Sequence, residues 1–234
     1  MDYETAFKKP FTDMKKLLIG VLLGIVPIIN FFVSGYIVKT AKKTIDKDSS
    51  LPEWHEWGDL FVNGILYTVI GFIFMLPALV VGLISVWPVL PSMMSAYMAQ
   101  LTPDAAVAMP RISEMMAGGM VGGLAITAIL VLIAAYILPS AIVHFANNGF
   151  GAAFKLGNVF RTAFTGRYFL AWLIFAVYSS VLSGLLSRVP YVGSPVATFI
   201  AGITGFTLLA GAFSPAEPVK KAVKKAVVKK KKKK

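Results

Sequence analysis

The sequence contains no cysteine and only two histidines, His55 and His144. Without thiols there can be no disulfide, thiolate metal site, iron–sulfur cluster or cysteine nucleophile. Charge is scarce too. Only 15% of the 234 residues are charged, whereas a soluble domain usually carries about a quarter. The long apolar runs contain no Asp, Glu, Lys or Arg. Intramembrane charges mark ion paths and proton relays, so a proton-coupled pump is not expected. What fills the chain instead is apolar residues, 57% of the total, with a mean hydropathy of +0.74. That balance excludes an ordinary soluble globule, a disordered chain and a collagen-like fibre, and it predicts an all-α polytopic membrane protein.

A transmembrane helix needs about 20 largely apolar residues. Leu60–Trp87, Gly119–Ala146, Tyr168–Ser187 and Tyr191–Phe213 satisfy this. The last two are separated by Arg188-Val189-Pro190 alone, which predicts an antiparallel hairpin. Leu17–Val38 is also long enough but carries Pro27 near its middle, with lysines on both sides. If it dips in and returns, four full spans follow. All Lys and Arg except Arg111 and Arg188 then lie on one side, as the positive-inside rule favours. A re-entrant hairpin is therefore expected, with five spans as the alternative. Both termini are expected in the cytoplasm and the chain in the cell membrane. No small-x-small cleavage site follows the first run, so a cleaved signal peptide is not expected.

Val26-Pro27 continuing to Val33 and Tyr36-Ile37 parallels Val189-Pro190 continuing to Val196 and Phe199-Ile200. Each unit has Ala-Phe-Lys upstream, at Ala6-Phe7-Lys8 and Ala153-Phe154-Lys155, which suggests a duplication. Phe150, Phe154, Phe160 and Phe164 share one face at helical spacing and predict an amphipathic interfacial helix. Tyr3, Phe7, Phe11 and Met14 form a similar stripe, interrupted by Pro10. Ser50 and Glu53 have capping-box spacing, and Trp54 and Trp57 read as interfacial anchors at a span entrance.

Polar chemistry is thin. Glu53, His55, Glu56 and Asp59 are candidate metal ligands, but one histidine on a single helix is poor geometry, and an interfacial role is preferred. Most of the ten methionines lie between Met93 and Met120. Thioethers favour Cu(I), yet methionine is also an adaptable apolar filler, and no metal or cofactor is expected. His144 reads as a boundary residue reaching water. Gly118 with Gly122, and Ser179 with Ser183, form small-x-x-x-small rows for helix packing, within the monomer or between copies.

Ser214-Pro215-Ala216-Glu217-Pro218 ends the last span and divides the chain into a membrane domain, 1–214, and a basic tail, 215–234. Lys220, Lys221, Lys224, Lys225, Lys229 and Lys230 lie among small apolar residues in the tail. They point to binding of anionic lipid headgroups, each lysine worth about 1 kcal/mol near the surface. Nucleic acid is disfavoured, because no aromatic residue beyond Phe213 is available to stack on bases.

Asp2-Tyr3, Ala6-Phe7, Pro10-Phe11, Leu51-Pro52-Glu53-Trp54, Trp57-Gly58-Asp59-Leu60-Phe61, Leu138-Pro139, Gly151-Ala152-Ala153-Phe154 and Val189-Pro190 together give a resemblance. The chain resembles the prokaryotic polytopic membrane family catalogued as domain of unknown function 4013. The resemblance implies an architecture and brings no activity with it. No nucleophile is paired with a base, so an enzyme is not expected. The preferred expectation is a non-catalytic organiser, anchor or accessory subunit whose partners are the bilayer and a membrane protein or a second copy. The alternative is a small transporter or channel for a lipid or other small solute.

Overall fold

A computed structural model describes residues 3–26, 28–91, 94, 97–98 and 119–213. Gly118, nearly all of the Met-rich segment and the lysine tail lie outside the described residues. Among the described residues there are helices and no strand. In chain order they are α1 (Tyr3–Lys8), a 3-10 turn (Lys9–Phe11), α2 (Met14–Ile25), α3 (Asn30–Ile45) and α4 (Trp57–Val86). Next come a 3-10 turn (Trp87–Val89), α5 (Gly119–Asn148), a 3-10 turn (Phe150–Phe154), α6 (Leu156–Ala163), α7 (Gly166–Leu186) and α8 (Gly193–Ala212).

Four of these, α4, α5, α7 and α8, are long and apolar enough to cross a membrane. Leu17–Val38 is not a fifth span. The helix stops at Ile25, before Pro27, and restarts at Asn30. Its 12-residue first arm is only about 18 Å long, well short of an apolar core about 30 Å thick. The two arms begin and end at the same face. Lys16, at the start of α2, pairs with Glu53 just beyond α3, and Lys9 reaches Thr44 near the end of α3. The chain enters and returns at one end of the bundle, here termed the basic end.

The helix α8 is the hub. Its apolar window is 72% buried, against 11% for α4, 11% for α5 and 6% for α7. Small residues make this possible. A Cβ on Gly202 would lie 2.5 Å from the Ile37 side chain, and one on Gly205 would lie 2.2 Å from the Phe175 ring. The tightest crossing joins α3 to α4. A Cβ on Gly35 would sit 1.8 Å from the Leu60 carbonyl oxygen, and one on Gly64 would sit 1.8 Å from that of Phe31. Backbone therefore rests on backbone in both directions, a contact open only to glycine.

The two suspected repeat units lie side by side. Pro195 of α8 meets Gly24 at the tip of the first hairpin. Thr207 and Gly211, near the end of α8, face Thr44 and Lys47 at the end of α3. The returning arms α3 and α8 thus run in the same direction. Their matched residues Tyr36 and Phe199 touch, with ring centroids 5.7 Å apart.

Two local expectations are corrected, and a third, the interruption at Pro10, is met. Ser50 does not cap a helix with Glu53, because α4 begins only at Trp57. Its backbone N–H is bound by Asp48, and its hydroxyl accepts from Lys43. The Phe150–Phe164 stripe is not one helix; it breaks at Lys155 between a 3-10 turn and α6. The first stripe likewise breaks at Lys9-Pro10, and Asp13 caps a new helix by accepting from the Lys16 N–H.

Candidate functional site

The chemistry of the chain gathers at the basic end. The segment between α3 and α4 is held there by aromatic packing and ion pairs. Trp54 stacks on Tyr36 with centroids 4.1 Å apart and planes 16° from parallel. Its indole N–H donates to the Lys16 carbonyl at 3.2 Å, and the Tyr36 hydroxyl donates to the Pro52 carbonyl at 3.0 Å. Around this stack, Lys16 pairs with Glu53 at 2.5 Å. Lys39 holds Glu56, with Asp59 a further partner at 3.7 Å. The acidic residues that composed the candidate metal set therefore have lysines as partners. Among the described residues no group of three ligand-type side chains converges.

This geometry sorts the predicted interfacial residues. Trp57 is 43% exposed and sits at the entrance to α4, where an anchor belongs. Trp54 is corrected: it is buried in the stack because its indole N–H and both ring faces find partners inside the protein. Phe164 is well exposed, Phe150 and Phe160 less so. Phe154 turns inward and stacks on Phe74 of α4. The packing rows also resolve. A Cβ on Gly122 would meet nothing within 4 Å, whereas one on Gly123 would lie 2.0 Å from the Ser85 hydroxyl. Within the monomer the close approach of α5 to α4 is thus made by Gly123. Ser183 is exposed and Ser179 half-buried on α7.

His144 is corrected as well. It is buried, not open to water. Its Nε2 lies 3.0 Å from the Thr162 hydroxyl, and its ring packs edge-on against Phe213. Nearby, Pro139 lies inside α5, which continues through it. A helical proline cannot donate to the carbonyl four residues earlier, here Ala135, and the Trp172 indole N–H of α7 binds that oxygen at 3.1 Å. The Tyr168 hydroxyl donates to the next carbonyl, Tyr136, at 2.8 Å. A break that leaves a carbonyl bare in hydrocarbon is thus closed by a neighbouring helix, as membrane burial demands.

One feature escaped the sequence reading. Lys9 is only 2% exposed, in the turn between α1 and α2. It lines a cleft of about 160 Å³ with Thr5, Thr44, Lys47, Asp48, Ser49, Thr207, Leu208 and Gly211. The ammonium donates to the Thr44 hydroxyl at 3.0 Å, and that hydroxyl donates onward to the Thr40 carbonyl. Burial lowers the Lys9 pKa from 10.5 to about 8, with Asp48 acting against the fall and Lys43 adding to it. Nothing in the pattern Lys8-Lys9-Pro10 distinguishes the buried lysine from its exposed neighbour. Only the crossing of α1, α3 and α8 does.

A family model described as a protein of unknown function (DUF4013) matches residues 18–191. No curated protein and no solved structure matches the chain.

Proposed function

The chain belongs to this family, whose description carries no activity, and we propose that it is a non-catalytic organiser, anchor or accessory subunit of the cell membrane, with both termini in the cytoplasm. The observation that carries this reading is the pairing of polar groups with structural partners. Trp172, Tyr168, Ser140 and Tyr36 all donate to backbone carbonyls, while Lys16 and Lys39 hold carboxylates. Side chains so engaged hold helices to one another, which supports a scaffold role. The lipid-accessible faces of α4, α5 and α7 then offer the surface on which a membrane protein or a second copy docks, with the Gly122 face of α5 open to close approach. The lysine tail, Lys220 to Lys234, adds attachment to anionic headgroups. Affinity purification from native membranes in mild detergent, followed by mass spectrometry, tests the reading. A stoichiometric partner or a defined homo-oligomer is expected, and a lone monomer in several mild detergents would contradict it.

The second reading, a small transporter or channel, draws on a separate observation. The two parallel hairpins meet at their tips around a cavity of about 80 Å³ lined by Gly24, Asn30, Val33, Ser194, Pro195 and Thr198. Duplicated hairpins around a polar cavity are a recurrent transporter design. Solute flux in sealed proteoliposomes would favour it over the organiser.

A further inference from the structure

Between α1, the end of α3 and the end of α8, the cleft around Lys9 is unlike the rest of the molecule. Elsewhere at the basic end each buried or half-buried lysine is matched by a carboxylate: Lys16 by Glu53, Lys39 by Glu56, Lys43 by Asp48 at 3.0 Å. Lys9 is the most buried lysine among the described residues, and its ammonium donates to a neutral hydroxyl, that of Thr44. An ammonium has three donors, so two remain for another acceptor. The nearest acid does not supply it. Asp48 lines the cleft, but its Oδ1 accepts from the Ser50 N–H at 2.9 Å and its Oδ2 from Lys43 at 3.0 Å. Those contacts, the Ser50 N–H first, hold its pKa down to about 2.

A second observation points into the same space. The Thr207 hydroxyl on α8 is buried and has no hydrogen-bond partner among the described residues, and Thr207 lines the cleft. A buried hydroxyl without a partner costs about 1–3 kcal/mol, and inside a helix it would ordinarily bond the preceding turn. Ser49 and Lys47 complete the rim. Lys47 is fixed there by a helix-end motif. It adopts a left-handed backbone, φ 64°, while its N–H reaches the Thr44 carbonyl and that of Asp48 reaches the Lys43 carbonyl. The lining thus offers a buried ammonium with spare donors, an unpartnered hydroxyl, a rim hydroxyl and a rim lysine. Lys9 and Lys47 outnumber the one carboxylate in the lining, Asp48, which Lys43 already holds, so the preferred ligand is an anion with several acceptor oxygens. The volume of about 160 Å³ accommodates a tetrahedral oxyanion.

We propose that this cleft is a phosphate-binding site in which the Lys9 ammonium and the Thr207 hydroxyl hold the phosphate oxygens, with Ser49 and Lys47 at the mouth. Its place at the basic end, beside the exposed apolar side chains of Phe11 and Met14, sets it at the depth of lipid headgroups. The phosphate can therefore arrive on a phospholipid or as the free ion.

The full chain in uncharged detergent would be titrated with inorganic phosphate, short-chain phosphatidic acid and short-chain phosphatidylcholine, followed by thermal shift and native mass spectrometry. Saturable binding of phosphate or phosphatidic acid is expected, weakened at least tenfold in Lys9→Met and several-fold in Thr207→Val. The tail is common to all variants, so its contribution cancels. Binding of inorganic phosphate as tight as that of the lipid assigns the free ion; binding of phosphatidic acid alone assigns the headgroup. Thr207→Val removes only a hydroxyl that has no partner among the described residues, so its effect reports on the ligand even if Lys9→Met alters folding. Equal affinity in wild type and both variants, or no saturable binding of either phosphate source, would overturn the proposal.

Discussion

Replacing Lys9 by methionine should make the protein more stable. The Lys9 pKa falls from 10.5 to about 8 on folding, and each pKa unit is about 1.36 kcal/mol. Keeping the ammonium charged inside the fold therefore costs about 3 kcal/mol. Its hydrogen bond to Thr44 offsets about 1 kcal/mol of this. Methionine has a similar length, no charge and no donor to satisfy. Lys9→Met is thus expected to add about 2 kcal/mol at pH 7, well outside the usual range for a surface change. The pH dependence gives an independent check. Because the folded pKa is the lower one, the unfolded chain holds more protons between about pH 8 and pH 10.5. Stability of the wild type relative to Lys9→Met should rise with pH through that window and level off above it. Below pH 8 both states are protonated and the difference should be constant. Denaturant titration in detergent micelles, followed by tryptophan fluorescence in phosphate-free buffer, reads both effects. A less stable Lys9→Met at pH 7, with pH curves parallel to the wild type, would refute the reasoning. A side chain whose removal stabilises the fold is most simply explained by a role other than folding.

Four further outcomes are expected. Gly35→Ala or Gly64→Ala should cost at least about 2 kcal/mol, because either Cβ would collide with a backbone oxygen across the α3–α4 crossing. By contrast, Gly122→Leu should leave the melting temperature of the monomer unchanged, and only a loss of oligomer mass by light scattering would show it at an interface; a monomer melt lowered by Gly122→Leu would contradict the packing. Trp172→Phe should cost about 1–3 kcal/mol by stripping the Ala135 carbonyl of its donor beside Pro139, and an unchanged melt would show that Pro139 needs no such partner. Finally, single cysteines at Thr5 and Ser49 should both resist an impermeant thiol reagent in intact cells while one at Tyr191 reacts. Thr5 and Ser49 share one cleft and Tyr191 is 90% exposed at the opposite hairpin turn; labelling of only one of the first two would mean that they do not share a side.

The amino-acid pattern alone determined the class of the molecule. Burying 20 apolar residues in a row requires no partner other than lipid, so the four spans were legible from composition, to within a few residues at each end. Pro27 and the flanking lysines were enough to expect a hairpin, because a proline break and a charge rule both act locally. Tertiary structure decided everything that depends on which side of a helix meets another. The sequence treats α8 like the other spans, yet α8 is the buried hub and the rest face outward. Gly122 and Gly123 are indistinguishable as members of small-residue rows, and only the position of Ser85 selects Gly123. Trp54 and Trp57 look alike at a membrane boundary, but the Lys16 carbonyl and the Tyr36 ring draw one of them inside. Lys8 and Lys9 are adjacent and chemically identical; one pairs with Glu4 on the surface, and the other is enclosed where three helices converge. Hydrophobicity is a property of a residue and can be summed along a chain. Burial of a charge, or the pairing of a carbonyl, is a property of what stands opposite, and residues far apart in sequence supply it.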